Sequence, residues 1–113
     1  MRSGWLLSGG DVVCALEMTD SWGERLRGLR GRTGCDGALH VAGVRSVHTA
    51  GMKFEIDVAF LSEDLTVVRL ARLKPWRVAP RRRGVSSVVQ AEAGALERWG
   101  VRVGDQLEIR PVT

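Results

Sequence analysis

His48 and Asp57 are the residues whose chemistry stands out in this chain. A histidine beside a carboxylate can serve as an oriented general base, because the carboxylate fixes the imidazole and stabilises its protonated form. The same pair can also be structural: an imidazole N–H given to a carboxylate or carbonyl would fix an irregular bend before a strand. Asp57 opens an otherwise apolar run, Val58-Ala59-Phe60-Leu61. Its carboxylate is therefore expected to be buried and to need partners. Arg25 or Arg32 are the expected partners, with backbone donors around His48-Thr49 as the alternative. The candidate cluster is Arg25, Arg32, His48, Thr49, Met52, Asp57 and Glu92.

Other constellations are weaker. His40 and His48 with Asp57 or Glu92 could hold a metal, but no H-x-H or H-x-x-x-H spacing supports it, so neither metal nor cofactor is expected. Cys14 with His48 and Asp57 could mimic a thiol hydrolase. Cys14 sits mid-strand, however, whereas activated cysteines more often lie at a helix N-terminus or beside a base in a cleft. Cys14 alternates in phase with Val12, Leu16 and Met18 and is expected to face the core. Cys14 and Cys35 are expected to stay unbonded, since two cysteines make no disulfide framework. Gly28-Leu29-Arg30-Gly31-Arg32 is no phosphate loop, because it lies inside an expected helix and lacks a following Lys-Ser/Thr.

The elements that position these residues read mostly as strands. Trp5-Leu6-Leu7 and Asp11–Met18 flank the turn Gly9-Gly10. Ser21-x-x-Glu24 reads as a capping box, followed by an apolar stripe at Trp22, Leu26 and Leu29, so a helix is expected over Ser21–Gly31. Ala38–Val41 is a further strand, and Val44–Ala50 is irregular or a short strand. Asp57–Leu61 and Leu65–Ala71 flank the polar loop Ser62-Glu63-Asp64 and should form a hairpin. Pro75 limits Trp76–Ala79 to an edge strand at most. Val85–Ala91 should be a strand, Ala93–Trp99 a short helix and Gln106–Arg110 the last strand. The pattern predicts a mainly β, β-rich α+β fold: a compact antiparallel sandwich or partly open barrel with two short helices.

Composition bounds the answer. The chain has 113 residues, enough for one small domain, taken as 1–113. Its charge is +4, from 17 basic and 13 acidic residues. Nearly all the basic residues are arginine, with Lys53 and Lys74 the two lysines, while tyrosine is absent. A GC-rich coding sequence produces that bias, so the basic balance is discounted as evidence for nucleic acid, which is not an expected partner. Arg81-Arg82-Arg83 reads as a solvated loop or a contact for an acidic partner, phosphate or membrane surface. Trp76 beside Arg77 offers a stacking platform. No apolar run is long enough for a membrane span, and the start lacks a secretory core, so a cytoplasmic monomer is expected.

These segments resemble a known family. Glu24–Arg32 is similar to an R-x-x-G-L-x-x-R helix motif. Val47-His48-Thr49-Ala50-Gly51-Met52-Lys53-Phe54-Glu55-Ile56-Asp57-Val58-Ala59-Phe60-Leu61 resembles a central signature in which His-Thr and Met precede an Ile/Leu-Asp-Val strand. Glu92-Ala93-Gly94 resembles the segment opening the last helix, and Val103-Gly104-Asp105 the closing turn. The family is domain of unknown function 192, and the resemblance runs from about Cys14 to Ile109. It implies a compact β sandwich or barrel with no established activity, substrate or cofactor. Arg30 stands where the helix motif often has Met, and Ala38-Leu39-His40 where a Met-Leu-Phe-like strand is common.

Two functional classes compete at this point. A non-enzymatic binding or accessory domain would hold a small ligand, peptide or protein partner against the face of Arg25, Arg32, His48, Thr49 and Glu92. A small hydrolase would use His48 with Asp57. A basic adaptor working through Arg81–Arg83 ranks third.

Overall fold

The computed structural model describes residues 2–19 and 37–112. The helix expected over Ser21–Gly31, with Arg25 and Arg32, and also Cys35 lie outside the described residues. The elements are β1 (Arg2–Ser8), β2 (Asp11–Met18), β3 (Ala38–Ala42), β4 (Val47–His48), β5 (Ile56–Leu61), β6 (Val67–Leu73), β7 (Val78–Ala79), β8 (Ser87–Glu92), α1 (Ala95–Arg98) and β9 (Leu107–Pro111). The expected β-rich fold is what the chain adopts, with α1 the one short helix among the described residues.

Seven strands form one mixed sheet in the order β6-β5-β8-β3-β2-β1-β9, and β4 pairs with β7 in a small second sheet. In the large sheet every neighbouring pair is antiparallel except β2–β3. The parallel pair explains why a long connection separates β2 from β3, since parallel neighbours need a crossover rather than a hairpin. The edge strands β6 and β9 touch at one end through an isolated Thr66–Gln106 bridge. There Val67 N–H donates to Asp105 O at 2.8 Å and Leu107 N–H to Leu65 O at 2.9 Å. The sheet curls without closing into a barrel.

The curl divides the core in two. On the concave face Leu6, Leu16, Met18, Ala59, Leu61 and Val89 pack with Leu96 and Val101 from the α1 region. On the other face Leu39, Ile56, Val58, Phe60 and Val88 are covered by Val47 of β4 and Ala79 of β7. Strand β5 is buried at all six positions because both faces are covered. It therefore reads as a continuous apolar run instead of an alternation, with Asp57 as its polar exception. Burying a side chain such as Phe60 contributes about 1.5–3 kcal/mol.

Two bulges shift side chains from one face to the other. In β1–β2, Leu6 pairs with Cys14 but Leu7 pairs with Val12. The extra residue, Val13, breaks the alternation, so Val12 is 55% exposed and Cys14 is half-buried at the edge of the concave cluster. The bulge takes Val12 out of the expected buried phase, while Cys14 stays with Leu16 and Met18 and packs, half-buried, against their cluster. In β5–β6 the register shifts between Phe60 and Leu61, which sets Asp57 opposite Arg72.

Candidate functional site

The predicted cluster separates into two groups on opposite faces of the sheet. Asp57 shares the concave face with Ala59 and Leu61, because side chains alternate along β5. His48 lies on the outer surface of the β4–β7 pair, whose inner residues Val47 and Ala79 seal the other face. The sheet thus stands between His48 and Asp57.

The first group is built around Asp57. Its side chain is 8% exposed, and both oxygens are bonded. Arg72 Nε donates to Oδ1 at 2.8 Å, straight across the β5–β6 ladder. The Gly94 N–H donates to Oδ2 at 2.9 Å. Burial of the carboxylate matches expectation, whereas the partners found are a cross-strand arginine and the backbone before α1. Arg72 is 49% exposed. The Asp57 hydrogen bond and charge, in that order, raise its already high pKa further. Its terminal nitrogens have no partner among the described residues. Glu92 ends β8 beside this group and is exposed, paired in register with Ile56.

Arg72 and Asp57 line an open cleft of about 600 Å³ between β6 and α1. Its wall is mainly apolar, from Leu70, Ala71, Leu96 and Val101, with Glu97 and Arg102 adding opposite charges. That volume falls within the range of small-molecule sites. The sequence reading did not single out Arg72, since its expected strand stopped at Ala71. Counting outward from the hairpin loop without a bulge would have set Ala71, not Arg72, opposite Asp57.

The second group is built around Thr49. Its side chain is buried, and its Oγ1 donates to Lys74 O at 2.7 Å and accepts the Arg77 N–H at 2.7 Å. Its backbone carbonyl accepts from Met52 N–H at 3.1 Å and Trp76 N–H at 3.0 Å. Thr49 therefore staples the loop after β4 to the loop before β7. Met52 is buried in the core beneath them. The staple holds Trp76 at φ 62°, a left-handed conformation that costs a bulky residue about 1–3 kcal/mol. Trp76 is 71% exposed and Val78 69%. With exposed His48 and with Ala50 they wall a second cleft, of about 470 Å³.

A third polar position is half-buried on β3. His40 of β3 sits between Met18 and Val89 in register, and its Nε2 atom is buried with no hydrogen-bond partner among the described residues. Burial lowers its pKa from the ordinary 6.5, because the charged imidazole loses water without gaining a partner. Among the described residues no group of three or more His, Cys, Asp or Glu is placed to hold a metal ion. No helix among them is long and apolar enough to cross a membrane.

Comparison with known proteins agrees on the fold and is silent on activity. The model of DUF192, described as an uncharacterized ACR, matches residues 6–109. A UPF0127 protein of Pyrococcus furiosus is 43% identical over 63 residues, 56% of this chain and 54% of that protein. A UPF0127 protein of Pyrococcus abyssi is 33% identical over 63 residues, with the same shares covered. The chain spans about half the length of the curated relatives it matches. A crystal structure of a candidate transcription regulator from Sinorhizobium meliloti 1021 superimposes with a TM-score of 0.79 at 23% identity, covering 96% of this chain and 92% of that one. A protein of unknown function from Novosphingobium aromaticivorans DSM 12444 does so at 0.76 and 17%, covering 95% and 83%. At such identities these likenesses show the fold alone.

Proposed function

This chain belongs to the DUF192 family, and we propose that it acts there as a non-catalytic binding domain for a small amphipathic molecule. The ligand's apolar body lies against Leu70, Leu96 and Val101, and its polar head meets the terminal nitrogens of Arg72. One observation carries this reading: Arg72 is anchored through Nε to Asp57 at 2.8 Å, yet its outer nitrogens, on the wall of an apolar cleft, have no partner among the described residues. A guanidinium oriented in this way presents a rigid donor pair suited to a carboxylate or phosphate. Binding fits this cleft better than bond cleavage, since both oxygens of Asp57 are occupied and the described lining residues include no Ser, Thr, Cys or His. The reading keeps the sequence expectation of a cytoplasmic monomer.

The test is a ligand screen by NMR on isotope-labelled protein, with carboxylate, phosphate and neutral amphiphiles of matched size. Binders should move the methyl resonances of Leu70, Leu96 and Val101. Arg72→Gln should weaken anionic binders while leaving the rest of the spectrum in place. A screen in which no compound moves those methyls, or in which Arg72→Gln binds equally well, overturns the reading.

A further inference from the structure

The cleft on the β4–β7 face lies across the sheet from Arg72, and its chemistry is different. Val47 and Ala79 point inward and seal the core, so their neighbours His48 and Val78, paired in register, point outward. Trp76 stands beside them, largely in solvent, with its backbone held left-handed by Thr49. An indole and a valine side by side at about 70% exposure form an apolar ledge, and a bulky residue kept at positive φ marks a position where local strain is tolerated for another reason. The two chain segments that supply the cleft's walls carry charge of one sign, the first ending just before Glu55. Segments 44–54 and 74–83 contain Arg45, Lys53, Lys74, Arg77 and the run Arg81–Arg83, and no acidic residue. All seven are exposed, and none forms an ion pair among the described residues.

We infer that this face docks an acidic peptide segment of a partner protein, with one apolar side chain of that segment seated in the cleft against Trp76 and Val78. Charge complementarity selects an anionic partner, and the concave apolar wall selects one that carries a side-chain anchor. Single-stranded nucleic acid is less well matched, because its binding proteins stack successive bases on several aromatic side chains and this face exposes one. An anionic membrane surface is less well matched because the apolar groups wall a groove of about 470 Å³, which favours an inserted side chain over a flat interface. His48 and the basic loops, both left unused by the cleft at Arg72, find a role together here.

The experiment is a titration of the labelled full chain with an acidic nonapeptide, four carboxylate residues on each side of a central phenylalanine. A counterpart with lysine in place of every acid serves as control. The acidic peptide should move the Trp76 indole N–H and the Val78 methyls, and the lysine peptide should not. Trp76→Ala and the charge reversal Arg81→Glu/Arg82→Glu/Arg83→Glu should each weaken the acidic peptide about tenfold or more. Val78→Ser, which removes the apolar contact without changing the charge and should also weaken the acidic peptide, provides a second variant should Trp76→Ala perturb the loop. The inference is overturned if the two peptides act alike, or if neither moves these resonances. It is equally overturned if an oligothymidylate or a phosphatidylserine vesicle moves them while the acidic peptide does not.

Discussion

The Asp57 carboxylate accepts the Gly94 N–H at 2.9 Å, tying the fully buried strand β5 to the residue that opens α1. α1 has four residues, far too few to be stable alone, so its position depends on such ties and on Leu96 in the core. Asp57→Ala removes this bond and the one to Arg72. Because Arg72 is half in solvent, its charge is not stranded in the core. The cost is therefore set by charge-assisted hydrogen bonds, about 1.5–3 kcal/mol, and not by an uncompensated buried ion. Asp57→Asn keeps an acceptor for Gly94 and should lose less. Urea midpoints of the two variants check this, and equal midpoints for Asp57→Ala and wild type would refute it.

Gly94 itself has φ 89°, and a Cβ there would approach Arg98 Nη1 to 3.1 Å. The arginine tip can swing away, so the backbone decides the outcome. Gly94→Ala should cost about 1–2 kcal/mol from the left-handed conformation and loosen α1. Thermal unfolding gives the size, and faster amide exchange at Val101, which bonds to Leu96 O at 3.0 Å, gives the location.

Thr49 predicts a local effect. Thr49→Val preserves shape but leaves the Lys74 carbonyl and the Arg77 N–H without their 2.7 Å partner. Each unsatisfied group costs about 1–3 kcal/mol if it stays buried, less if the loop opens to water. Thr49→Ser should retain most of the stability. The distinguishing measurement is hydrogen exchange at Trp76 and Arg77, which should quicken in Thr49→Val while exchange in β5 and β8 follows only the global change.

Strand content was legible in the sequence because alternation and turn residues act locally. Asp11–Met18 was readable to the residue, and the burial of Asp57 followed from the apolar run after it. The bulges were not legible. An extra residue at Val13 exposes Val12, and the shift beside Phe60 brings Arg72 opposite Asp57. Both are properties of paired strands, which neither strand's own sequence announces. The separation of His48 from Asp57 was hidden for the same kind of reason. Proximity in sequence suggested a dyad, but β4 leaves the main sheet to pair with β7 and cover its far face.

His40 carries the last prediction, a pH dependence whose sign follows from burial. Its folded pKa lies below 6.5, since the imidazole loses water on burial and its Nε2 gains no partner among the described residues. In the unfolded chain the imidazole titrates near its ordinary value. As pH falls below 6.5 the unfolded state therefore binds a proton that the folded state does not, and stability declines. The contribution is complete above pH 6.5. It weakens as pH drops, at no more than about 1.4 kcal/mol per pH unit, until the folded imidazole itself protonates. Register neighbours Met18 and Val89 carry no charge that could reverse this. His40→Leu removes the titrating group and the orphaned nitrogen together. Urea midpoints of wild type and variant at pH 7.5, 6.5 and 5.5, at constant ionic strength, isolate the effect from that of the carboxylates. The wild type should lose more stability than the variant between pH 6.5 and 5.5. Parallel losses would place His40 in contact with water in the native state and would remove burial as the cause.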